Sequence, residues 1–283
     1  MFGCFAAVTG LVLFILLVQQ LRSRVLHVGH RPAAPGGSLG VELLAVFIAG
    51  FIGVKLLVVI AHATAPAGQA AQAATWTGLL AQWLLLPLVV LYPRWRAGAG
   101  ASGEFLGLAA SCRRAGVLRE VLAGVAAWCA CIPLLVLGAV ASIVLTWIWS
   151  LVSAPAGGGA GPAPANPVID LLSGFGNPWQ VAIVVALAVV WAPIVEELVF
   201  RGGLYGHLRT RFGVLACAVA SAVIFGLMHG YPLLLLGPVI GLGVGFAVTR
   251  HLRGSLIAGM TAHALHNGLV VAFLLVAIRA LGL

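Results

Sequence analysis

The sequence predicts an all-α polytopic membrane bundle with about eight transmembrane helices. Three observations predict it: 62% of the 283 residues are hydrophobic, only 7% are charged, and the mean hydropathy is +1.15. A soluble domain carries about 25% charged residues, so this chain cannot build a hydrated surface of ordinary size. Fibrous, disordered, disulfide-rich secreted and soluble nucleic-acid-binding classes are excluded by the same values. The net charge of +9 fits loops that face anionic lipid rather than a nucleic-acid partner. The five cysteines are odd in number, sit mostly in apolar runs, and outline neither a disulfide framework nor a zinc knuckle.

A bilayer core of about 30 Å needs roughly 20 apolar residues of helix. Eight segments come near that length: Phe5–Gln20, Val41–His62, Trp76–Tyr92, Val121–Leu151, Trp179–Phe200, Val214–Met228, Pro232–Thr249 and Leu256–Ile278. The first lacks a basic leader and is followed by Arg22 and Arg24, so it reads as an uncleaved anchor rather than a signal peptide. Basic residues orient the set. Of the 15 lysines and arginines, 13 fall on alternate loops, the exceptions being Lys55 inside a span and Arg279 at the C-terminus. The positive-inside rule then puts both termini outside.

Three regions follow. Residues 1–152 hold four spans, residues 153–178 form an external linker whose Ser153–Pro167 stretch is Gly/Pro/Ala-rich, and residues 179–283 hold four more spans with every candidate site residue. The linker has no periodicity and carries turn-forming residues throughout.

The chemistry begins at Glu196 and Glu197, adjacent carboxylates near the end of an apolar run. An ionisable side chain at a helix centre costs about 2.5–3.5 kcal/mol on insertion scales, so two of them need a reason. Glu197 and Arg201 stand four residues apart with the acid first, the favourable order for a helical ion pair. Glu196 lies about 100° round the helix and is left free to accept a proton. Pro193 bends the same helix and opens its backbone locally. A turn near Arg211–Gly213 separates Glu196 from His229 by nearly equal arms, which brings both to one height in an antiparallel pair, about 25 Å from the turn at 1.5 Å per residue. Unbroken helix through Gly202–Gly203 puts the site in the middle or outer half of the bilayer, whereas a break there brings it nearer the cytoplasm. In the last span His263 and Asn267 share a face four residues apart, with His266 on a neighbouring one. Gly237, Gly241 and Gly245 form a small-residue stripe in the span before it, a signal for close helix packing.

Glu-Glu-x-x-x-Arg at 196–201, Phe-x-x-x-His at 225–229 and His-x-x-x-Asn at 263–267, in this order and on separate helices, resemble the three motifs of the CAAX protease and bacteriocin-processing (CPBP, or Abi) family. Its members are intramembrane endopeptidases related to the type II CAAX prenyl endopeptidase. The resemblance covers about residues 181–271. The family often has a proline shortly before the last histidine, where this chain reads Ala258–Gly259.

The resemblance implies a glutamate-type protease. Glu196 would be the general base, His229 would hold and polarise the attacking water, and His263 and Asn267 would donate to the oxyanion. Glu197 and Arg201 would support the base-bearing helix, and Phe225 would pack against neighbouring helices. No cofactor is required by this reading. Zinc is its alternative, since Glu196, His229 and His263 offer three ligands, although the chain lacks a His-Glu-x-x-His helix. The implied partners are a membrane-associated protein or peptide substrate and the lipid bilayer, with no nucleic acid. The Ala/Gly/Arg-rich, lysine-poor composition points to a GC-rich bacterial genome and hence a bacterial cytoplasmic membrane. Read without the resemblance, the same polar cluster also suits a transporter or scaffold that binds an ion or a partner.

Overall fold

The computed structural model describes residues 38–66, 68–105, 116–152, 178–229 and 231–281, and their regular structure is helical throughout. Seven helices follow the expected spans to within a few residues at most ends. They are α1 (Leu39–Thr64), α2 (Ala70–Gly98), α3 (Val117–Val152), α4 (Pro178–Leu208), α5 (Val214–Leu227), α6 (Gly237–Arg253) and α7 (Ile257–Leu281). The expected first span, Phe5–Gln20, and the Ser153–Pro167 linker lie outside the described residues. Five of the seven are long and apolar enough to cross a membrane; α5 has the composition but only 14 residues, and α6 has 17. The fold is an all-α membrane bundle. Its outer surface carries side chains such as Val59, Leu84, Ile143 and Phe273 in exposed positions, as expected where the solvent is hydrocarbon rather than water.

Local sequence sets the helix ends. Ser38 precedes α1 and its hydroxyl donates to Glu42 in the first turn at 2.5 Å. Gly98 closes α2 at φ +82°, a left-handed conformation that only glycine adopts at no cost. Gly254, at φ +66°, does the same for α6, and its N–H caps the Arg250 carbonyl.

The ends carrying basic residues gather on one side of the bundle. Glu42 at the start of α1 pairs with Arg96 near the end of α2 at 3.1 Å, and Glu120 at the start of α3 pairs with Arg253 at the end of α6 at 2.5 Å. These positions belong to the loops that the positive-inside rule assigns to the cytoplasm.

The glycine stripe of α6 lies along α3. A Cβ at Gly237, Gly241 or Gly245 would collide with the Gly138 carbonyl, the Leu134 carbonyl and the Cys131 sulfur respectively. The two backbones therefore touch, and the Gly237 N–H reaches the Ser142 hydroxyl at 3.1 Å. A separate core joins Leu43 and Phe47 of α1 and Leu85 and Val89 of α2 to Trp191, Val195 and Phe200 of α4. Helix α4 is thus held by the front of the chain as well as by its own neighbours.

Candidate active site

Helix α4 is not uniformly wound. It is π-helical over Leu187–Trp191, α-helical over Ala192–Glu196 and π-helical again over Glu197–Leu204. The physical origin of the first π segment is Pro193. It has no N–H to give the Val189 carbonyl, and its ring crowds the preceding turn. The Ala192 N–H bonds the Leu187 carbonyl. The Ala188 carbonyl is left facing Pro193, and the Asn267 side-chain amide donates to it at 2.8 Å. The second π segment passes through Gly202 and Gly203 without a break, and α-helix resumes at Tyr205–Leu208.

The two glutamates have different surroundings. Glu197 is fully buried, with its Oε1 2.9 Å from Arg201 Nη1, an ion pair close in distance but not aligned as a hydrogen bond. Arg201 is equally buried; its Nη2 donates to the Gly243 carbonyl at 3.2 Å. Its guanidinium stacks over Phe225 and Phe246, 4.3 Å and 5.3 Å from the ring centroids. The Glu196 side chain keeps 20% of its surface accessible. It lines two cavities, of about 270 and 260 Å³, which meet at Ala188, Ala192, Glu196, Phe225 and His229.

His263 lies between the two carboxylates. Its Nδ1 is 3.3 Å from Glu197 Oε1, and its Nε2 is 3.6 Å from Glu196 Oε2. Phe246 stacks on its ring at 5.0 Å, and Phe225 meets it edge-on at 5.8 Å. An ionised carboxylate only accepts, so Nδ1–H is the donor to Glu197.

His229 stands in the turn that ends α5, where carbonyls lack helical partners. Its Nδ1–H donates to the Phe225 carbonyl at 2.8 Å, which leaves Nε2 as the acceptor nitrogen. Phe225 ties the arrangement together, lying 4.6 Å from His229 and 5.2 Å from Phe200, ring centre to ring centre. It is 2% exposed and packs among helices, while it also lines both cavities.

The structure therefore brings Glu196, His229, His263 and Asn267 to one place, with Glu197, Arg201 and Phe225 behind them. His266 also lines the second cavity. Among the described residues no three His, Cys, Asp or Glu side chains are arranged to hold one metal ion.

Other features were not singled out by the sequence reading. Phe47 and Phe51 of α1 and Leu79 and Gln82 of α2 form a wall of the first cavity; Gln82, a lone amide within an apolar run, was the available signal. Gly259 replaces the family's proline region with a contact of its own. A Cβ there would come within 2.8 Å of Glu197 Oε2, so a side chain at this position would press on the buried carboxylate.

Fold and site together define a polytopic membrane protein with a carboxylate–histidine centre inside the bundle, opened by two cavities. Residues 178–269 match the family described as type II CAAX prenyl endopeptidase Rce1-like, which bears out the CPBP resemblance over the segment that holds every site residue. That family is one of intramembrane CAAX endopeptidases, so the match supports proteolysis as the general activity. No curated protein and no solved structure matches the chain.

Proposed function

We propose that the chain hydrolyses a peptide bond of a membrane-associated protein or precursor, with water activated by Glu196. The observation that carries this reading is the split between the glutamates: Glu197 is buried and paired with Arg201, whereas Glu196 is open to both cavities. One carboxylate holds the helix and the other is free to take a proton. A water between Glu196 and the His229 Nε2 gives up a proton to Glu196 as its oxygen attacks the scissile carbonyl. The oxyanion then accepts a hydrogen bond from the second N–H of Asn267, the first being held by Ala188. His263 adds a second donor, Nε2–H, only as an imidazolium, because its neutral ring spends its one N–H on Glu197. Collapse breaks the C–N bond, and Glu196 returns its proton to the leaving amine.

The substrate class is a protein segment that enters from the bilayer, and a bacterial cytoplasmic membrane is the proposed setting. The test is comparative membrane proteomics of cells expressing the wild-type chain or Glu196→Gln. This substitution keeps the side-chain shape and removes the base. Uncleaved precursors are expected to accumulate in the variant; an unchanged peptide profile with full cellular function would favour a scaffold instead.

A further inference from the structure

A smaller cavity lies at the basic end of the bundle, away from Glu196. It measures about 50 Å³ and is lined by Arg201, Tyr205, Gly206, Arg209, Arg250 and His251, none of them acidic. Arg209 is only 4% exposed. One of its N–H groups donates to the Phe212 carbonyl and the Cys217 thiol lies beside the guanidinium, while Nε and Nη2 are buried with no oxygen acceptor. The Arg201 Nε is buried and unmatched in the same way. A buried guanidinium N–H with no acceptor is a costly arrangement, and its planar fork matches the oxygens of a phosphate.

We propose that this cavity is a binding site for a phosphate-type anion, supplied either by the headgroup of an anionic lipid or by the free ion. Its position suits both sources. It sits where α4 and α6 end, on the side that carries the basic loops, and basic pockets between helices on the cytoplasmic side receive lipid headgroups. The oxygens would accept from Arg209 Nε and Nη2 and lie near Arg250. Gly206 leaves the room, since a Cβ there would meet no atom within 4 Å.

The full-length protein in phosphatidylcholine nanodiscs is compared with the same protein in discs holding an equal share of phosphatidylglycerol. A third sample is phosphatidylcholine discs with added inorganic phosphate. Thermal unfolding and native mass spectrometry of retained lipid are the readouts, so the result does not depend on peptide cleavage. Stabilisation by phosphatidylglycerol identifies the headgroup as the source, and stabilisation by phosphate alone identifies the free ion. Binding is expected to weaken at least about tenfold in Arg209→Gln, the equivalent of one lost charged hydrogen bond. Gly206→Asp, which supplies an internal carboxylate, is expected to give the same loss. Each variant's own melt in pure phosphatidylcholine is the baseline from which its shift with phosphatidylglycerol or phosphate is read. Arg94→Gln, on the exposed end of α2, is expected to bind normally. Equal loss in Arg94→Gln, undiminished binding in both cavity variants, or no response of the wild type to either probe overturns the proposal.

Discussion

The Asn267 side-chain amide donates to the Ala188 carbonyl at 2.8 Å, and the bond exists because of Pro193. The Ala192 N–H that would serve Ala188 in an α-helix is bonded to Leu187, and the next residue along has no N–H to offer. Asn267 therefore fills a vacancy that the proline creates. One helix of the site is pinned to another about two turns before the glutamates.

A double-mutant cycle tests that coupling. Asn267→Ala is expected to cost about 1 kcal/mol of stability, the usual scale for an interhelical hydrogen bond in a membrane protein. In a Pro193→Ala background the helix can supply its own donor, so the same substitution should cost clearly less. Unfolding in detergent followed by circular dichroism reads both; strictly additive losses would remove the proposed link.

Glu197→Gln leaves the Arg201 charge buried and unpaired, and the expected destabilisation is about 3–5 kcal/mol. Glu197→Gln combined with Arg201→Met should recover much of that loss, because the methionine fits between Phe225 and Phe246 without a charge. The pair of variants is compared by heat resistance of the purified protein. If the double variant is no more stable than the single one, the cost does not come from the stranded charge.

Two glycines of α7 give opposite expectations. Gly259→Ala presses on the Glu197 carboxylate, which Arg201 holds in place, and is expected to destabilise by about 1–3 kcal/mol with a loss of cleavage. Gly268→Ala brings its Cβ to an ordinary 3.6 Å from Val189 and is expected to be neutral or mildly stabilising. Thermal melts of both side by side distinguish a specific contact from a general intolerance of helix glycines.

Gln82→Leu makes the front wall of the first cavity wholly apolar without touching Glu196 or His229. The expected outcome is a changed set of cleaved precursors, with little change in protein accumulation. Identical peptide profiles for the variant and the wild type would mean that this wall does not select substrate.

Metal dependence is checked by dialysis against a strong chelator before a peptide cleavage assay. Activity is expected to persist. Complete loss that zinc alone restores would favour the metal reading of Glu196, His229 and His263.

Much of this was legible from local spacing. The Glu197–Arg201 pair follows from a separation of four residues, which survives even where the helix turns π. The Gly237, Gly241 and Gly245 stripe announced a close helix contact, though not that its partner would be α3. The seven described helices follow runs of apolar residues because hydropathy and length alone define a span. What remained hidden depends on distant segments. Nothing near Gly259 in sequence says that a carboxylate from α4 will press on it. The position of His263 between the two glutamates, and the contribution of Phe47 and Phe51 to the cavity, likewise arise only when helices far apart in the chain meet. The π segments sit between these cases: Pro193 signals a disturbance, but where the extra residue is absorbed is set by packing.

The backbone contact between α3 and α6 bears on how such a protein can be recombined. Main chain rests on main chain at Gly237 and Gly241, and only the small side chains of Cys131 and Ser142 enter the contact. A graft that transplants residues 178–269 into an unrelated set of front helices would present the glycines to a helix of the wrong relief. The smallest portable unit therefore includes α3, although that helix lies outside the matched segment and carries none of the chemistry.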